Sequence, residues 1–144
     1  MNWPLVVAGV LALLGAAVHG IVGDLLVVRR LSPGKLPSSP FGGPRMTKAM
    51  IRVAWHMATM ALITVGSSLV VSGAFLDGET ARAVGVVGAG ASTGIAVVIV
   101  PAAFNQARRS LALRATDRRE LRSFLHPGPV ILVAIPVLAW VGIA

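Results

Sequence analysis

The feature that most constrains this chain is a succession of apolar runs, each about as long as a membrane is thick. Between Trp3 and Val28 the only charged residue is Asp24. None falls between Val53 and Leu76, between Ala83 and Asn105, or between Pro127 and Ala144. An α-helix rises about 1.5 Å per residue, so about 20 residues cross a hydrocarbon layer about 30 Å thick. Backbone in hydrocarbon must satisfy its own polar groups, and runs of this kind do so as helices. The expected fold is therefore all-α: a polytopic membrane protein built as a four-transmembrane-helix bundle. It forms a single transmembrane domain over residues 1–144, with spans near 3–28, 49–76, 81–104 and 128–144 and loops over 29–48 and 105–127.

Composition supports this reading. Of 144 residues, 12% are charged and 56% hydrophobic, where soluble domains carry about 25% charged residues. Cysteine is absent, which excludes disulfides, thiolate metal sites and cysteine nucleophiles. The first run has no basic start and outlasts the apolar core of about 7–15 residues that a cleaved leader carries, so no processing is expected there.

A net charge of +8 raises the question of nucleic acid, and the placement of the charges answers it. Six of the 13 basic residues lie between Arg29 and Arg52, six between Arg108 and Arg122, and one, Arg82, in the short second connection. Cations in alternate connections set membrane orientation and attract anionic lipid head groups. There is no tyrosine, and no aromatic series interleaves the cations as a base-stacking surface would require. No nucleic-acid partner is expected. The positive-inside rule puts both basic loops in the cytoplasm and both termini outside, an N-out/C-out protein of the bacterial inner membrane. The seven aromatics agree: Trp3, Phe75 and Trp140 fall at outer span ends, Trp55, Phe104 and Phe124 at inner ones, and Phe41 in a loop.

Ser32 to Arg45 holds four prolines and three glycines and is expected to form neither helix nor ladder. Asp77-Gly78-Glu79 reads as a tight turn with Thr80 capping the next helix. Residues 106–125 are expected to lie on the membrane surface or to extend span three. Membrane helices associate through small residues and interhelical hydrogen bonds. Span one offers Ala8, Ala12, Ala16 and Gly20; span three offers one ridge of Ala81, Gly85, Ala89 and Thr93, and another of Gly90 and Gly94. These ridges predict contact between spans one and three, with Gly90 and Gly94 at a close approach. Met57 and Met60 read as core.

Ionisable residues within a span are functional candidates by default. Here they are His19 and Asp24 on span one, Arg52 and His56 opening span two, and His126 entering span four, with Asn105 closing span three. Measured from Arg29 and Arg52 as interface markers, Asp24 and His56 lie at a matching depth of roughly 6–8 Å on antiparallel neighbours, and His19 about two turns deeper than Arg29. Arg52 is one turn from His56. Asp24 is thus expected to meet His56, with Arg52 or His19 completing the set. One reading is an interhelical network that fixes register. The others are a ligand or proton site, or a divalent metal or haem held by the histidines and the carboxylate.

The run His19-Gly-Ile-Val-Gly23-Asp24, the Arg52-x-x-Trp55-His56 opening of span two and the His126-Pro127-Gly128 entry to span four together resemble a family of small bacterial four-helix inner-membrane proteins. The resemblance implies the same architecture and marks these polar residues as pattern positions; it implies no activity. The expected function is that of an accessory or structural membrane subunit, associating as a homo-oligomer or with a membrane protein partner, with enzymatic activity left open. The alternative is a small-molecule, proton or metal-binding membrane protein, transporter-like or a metal-dependent enzyme, that uses the His/Asp cluster on the cytoplasmic side.

Overall fold

The computed structural model describes residues 1–113 and 128–144. They form four helices: α1 (Trp3–Ala17), continued without a break by a π-helical segment (Val18–Val28); α2 (Pro44–Ala74); α3 (Gly78–Leu113); and α4 (Gly128–Ile143). Three of these are long and apolar enough to cross a membrane: Trp3–Val28, Pro44–Ala74 and Gly78–Asn105. At 16 residues, α4 reaches about 24 Å, short of that thickness.

Each helix packs on two neighbours: α1 on α2 and α4, and α3 on α2 and α4. Spans one and three therefore lie across the bundle from one another, and their small residues, Ala8 and Ala12 on one and Ala89 on the other, share the central core and not a common seam. The expectation weighed the small residues of both helices but could not weigh which neighbour each would meet. The core is narrow and small-residued: Ala8, Ala12, Ala89 and Ala139 are fully buried around Leu5, Leu69 and Ile135. Apolar side chains cover the outside. Leu14 and Ile21, Val53 and Met57, Val87 and Val98, and Val137 and Val141 are all exposed. Apolar surface on all four helices is what lipid solvation requires and water does not tolerate. Met57 and Met60 belong to this outer surface, not to the core.

The α1–α2 seam depends on glycine. A Cβ on Gly9 would stand 2.6 Å from the Gly66 carbonyl oxygen and 2.8 Å from the Val70 nitrogen, and one on Gly66 would stand 2.8 Å from Leu13 Cγ. Only side-chain-free positions let these two backbones come so near. On α3 the ridge of Gly85 and Ala89 faces inward, Gly85 against Ser72 Oγ and Ile143. The second ridge is a correction. Gly90 and Gly94 are exposed, and a Cβ on either would meet nothing within 4 Å. The two ridges sit on different sides of one helix, and α3 turns the first toward its neighbours.

One end of the bundle is tied by neutral groups. Asn2 donates its backbone N–H to the Gly73 carbonyl at 2.7 Å, its side-chain amide donates to the Gly142 carbonyl, and its Oδ1 accepts from Leu5 N–H at 3.4 Å. The start of α1, the end of α2 and the end of α4 meet there. Ser72 Oγ donates to the Ala81 carbonyl at 2.6 Å, joining α2 to α3. Helix α3 begins at Gly78 itself, whose φ of +59° suits a residue without Cβ. Thr80 is consequently inside the helix, not its cap. At the opposite end, Pro44 opens α2 at its first position, where a missing N–H is harmless. The preceding loop is more ordered than its prolines suggest. It contains a 3₁₀ turn at Pro33–Lys35 and a single bridge in which Ser39 and Gly42 exchange N–H···O bonds of 2.9 and 3.0 Å. Helix α3 runs on unbroken through Leu113, so the first part of the basic stretch extends span three.

Candidate functional site

At that second end, Asp24 is the one buried charge among the described residues. It sits on the π-helical segment, where backbone bonds run from each residue to the fifth after it. Arg29 N–H donates to the Asp24 carbonyl at 2.9 Å in this pattern. In an α-helix, residues five apart point about 140° away from each other; the wider π turn returns them to one side. Arg29 Nε consequently donates to Asp24 Oδ2 at 2.8 Å. Helix α2 supplies two more cationic or potentially cationic groups: Arg52 Nε lies 3.9 Å and His56 Nε2 3.8 Å from Asp24 Oδ1. Neither distance is a hydrogen bond, and Oδ1 is buried without a donor among the described residues.

His19 stands apart from this group. Its ring stacks on that of Trp55, with centroids 4.2 Å apart and planes 7° from parallel. The Trp55 indole N–H donates to the His19 carbonyl at 2.9 Å, so one side chain of α2 grips both ring and backbone of α1. Two glycines make the room. A Cβ on Gly23 would lie 2.5 Å from Trp55 Cζ2, and one on Gly20 would lie 2.6 Å from Thr59 Cγ2. His19 Nε2 is buried and has no hydrogen-bond partner among the described residues.

Of the sequence candidates, the structure thus gathers Asp24, Arg52 and His56 and places His19 on Trp55. Asn105 is exposed on α3 and is not bonded to the group. His126 lies outside the described residues. Among the described residues no three His, Asp or Glu side chains come together as metal ligands do.

Two members escape the sequence reading. Arg29 enters it only as an interface marker, because five-residue spacing carries no meaning on an α-helix. Trp55 enters it only as an interfacial aromatic, and its packing against the α1 segment is additional; the signal for it is Gly20 and Gly23 opposite a large aromatic. The hydroxyls of Thr59, Thr64 and Ser68 donate back to carbonyls of their own helix, as helical serine and threonine do.

No family model, curated protein or solved structure matches the chain.

Proposed function

We propose that the chain is an integral protein of the bacterial inner membrane. In this reading its four helices cross with both termini outside, and it serves as an accessory or structural subunit. The observation that carries the reading is how the buried charge is used. Asp24 is engaged from both helices it lies between, and the adjoining Trp55 clamp is likewise devoted to holding α1 against α2. A buried ionic group that sets register is a well-attested use of such residues. The apolar outer surface supplies area for lipid and for a membrane partner or second copy, and basic residues gathered in alternate connections support the orientation. The short α4 spans in this reading with the bilayer thinned locally around it.

Topology reporters test the placement. A fusion after Ala144 is expected to read as periplasmic and one within 32–45 as cytoplasmic; a cytoplasmic C-terminus would sink the orientation. Affinity purification in mild detergent tests the role, with a stoichiometric membrane-protein partner or a homo-oligomer as the expected result. A monodisperse monomer that turns over a substrate would reject it.

A second reading has one specific observation behind it. Asp24 Oδ1 and His19 Nε2 are both buried without partners, and a buried polar atom in that state ordinarily has a ligand or water beside it. A small-molecule or proton site would use one or the other of these atoms.

A further inference from the structure

Arg29 and Arg52 both address Asp24 through Nε. A guanidinium has five N–H donors, so the Nη ends of both side chains remain. Among the described residues Arg29 donates its side chain to Asp24 alone and Arg52 donates to no acceptor, and the two side chains are 61% and 55% exposed. One buried carboxylate therefore draws two guanidiniums to it, Arg29 by a hydrogen bond and Arg52 by charge at 3.9 Å, and leaves their Nη groups unbonded. Lys48 adds a third cation, its Nζ donating to the Arg29 carbonyl at 3.3 Å. Two arginines on Asp24 and a lysine beside Arg29 leave a local excess of positive charge. Paired guanidiniums presenting N–H groups in a plane match the geometry of a phosphate.

The setting indicates where that phosphate comes from. Leu25 and Leu26 follow Asp24, Val53 follows Arg52, and all three are exposed. Exposed apolar residues on the span side of both arginines are what a phospholipid meets with its acyl chains while its head meets the cations. We propose that Arg29 and Arg52, positioned by Asp24, form a binding site for the phosphodiester of an anionic phospholipid. The inference rests on the membrane reading above and sharpens it from general attraction at basic loops to a defined site.

The test measures retention of phosphatidylglycerol against phosphatidylcholine on the full-length protein in neutral detergent, by native mass spectrometry. A cation merely near a membrane surface contributes roughly a fivefold preference for anionic lipid. Arg30→Gln is expected to cost no more than this, and Arg82→Gln, at the far end of the bundle, nothing. Arg29→Gln and Arg52→Gln are each expected to cost about tenfold or more, because each removes a fixed fork. Asp24→Asn decides between the site and diffuse attraction. It raises the net charge, so diffuse attraction predicts tighter anionic-lipid binding, whereas loss of the positioning carboxylate predicts weaker binding. Should Asp24→Asn not fold, Arg29→Lys asks the same question: charge is kept, the fork is lost, and binding is expected to fall. Unchanged binding in Arg29→Lys, or tighter binding in Asp24→Asn, overturns the site. Inorganic phosphate that displaces the lipid at equal concentration would assign the fork to a soluble phosphate and overturn the lipid as occupant. Detergent binding is read without regard to orientation. Lost selectivity with a periplasmic C-terminus therefore sinks the fork alone, and retained selectivity with a cytoplasmic C-terminus sinks the topology alone.

Discussion

The two halves of the first span meet the same partner, α2, in opposite ways. Over Trp3–Ala17 the contact is backbone on backbone: Gly9 and Gly66 remove the side chains that would keep the helices apart, and alanines fill what remains. Over Val18–Val28 the helix widens to π geometry, and α2 reaches in with side chains, Trp55 and Thr59 entering the room left by Gly23 and Gly20. In the membrane proposed above, the first half would gain dispersion contact and little else, since lipid competes for apolar surface as well as leucine does. The second half gains one hydrogen bond, from the Trp55 indole to the His19 carbonyl, and the approach of Arg52 and His56 to Asp24, contacts that in the proposed reading set the register. Glycine does different work in each: close approach of main chains in one, a socket for an aromatic ring in the other.

The sharpest way to break this contrast is bulk in the first half. Gly9→Leu drives a side chain into the Gly66 carbonyl and the Val70 backbone, neither of which can rotate away. We expect a loss of about 3 kcal/mol in thermal or denaturant unfolding in detergent, or failure to assemble. Gly90→Leu and Gly94→Leu, on the outer ridge of α3, are expected to stay within about 0.5 kcal/mol of the parent. If the outer pair proved as damaging as Gly9→Leu, that ridge would be in contact with another chain.

Bulk in the second half should cost less, because what it meets is a side chain. Gly23→Ala places a methyl against Trp55 Cζ2, and the ring must leave its stack on His19. The expected loss is about 2 kcal/mol, with a change in Trp55 emission measured in a background carrying Trp3→Phe and Trp140→Phe. Unaltered emission would show that the socket has slack.

Much of this architecture was readable in the chain, and the unread part has identifiable physical causes. Membrane-length apolar runs announce helices because hydrocarbon allows little else. The depth match of Asp24 with His56 follows from a fixed rise per residue, and the structure sets them 3.8 Å apart. The π segment was not legible. Nine of the eleven residues in Val18–Val28 are valine, leucine, isoleucine or glycine, so its pattern of apolar residues does not distinguish one helical period from another. With the period misjudged, Arg29 could not be placed on the Asp24 face. The choice between the two small-residue ridges of α3 was also hidden, since both satisfy the same spacing rule and only the neighbours' positions separate them.

Trp55→Phe isolates the polar part of the second half. The ring volume is largely kept and the stack on His19 can persist, but the bond from indole N–H to the His19 carbonyl is lost. A single hydrogen bond of this kind contributes about 1 kcal/mol, and the expected drop in stability is of that size. A loss as large as that of Gly9→Leu would mean the tryptophan acts chiefly through packing.

The smallest effect, and the one that most sharpens the comparison, lies in how Asp24 is shared. Arg29 makes a 2.8 Å charge-assisted hydrogen bond to Oδ2, while His56 stands 3.8 Å from Oδ1. Coupling should follow that difference. Double-mutant cycles read as resistance to unfolding in mild detergent are expected to give a larger interaction for Asp24→Asn with Arg29→Gln than for Asp24→Asn with His56→Gln. Both should be modest, because Arg29 and His56 are half exposed and interhelical polar contacts in membranes are weak on average. The two pairs also differ in what they join. Asp24 with Arg29 closes a π turn within one chain segment, whereas Asp24 with His56 ties α1 to α2. A dominant Arg29 coupling would therefore say that the carboxylate first shapes its own helix, and that register against α2 is left mainly to Trp55. A dominant His56 coupling would reverse that order and make the ionic contact the lock between helices. Additivity in both cycles would remove Asp24 from the account of stability, leaving the specificity of the second half to the aromatic clamp alone.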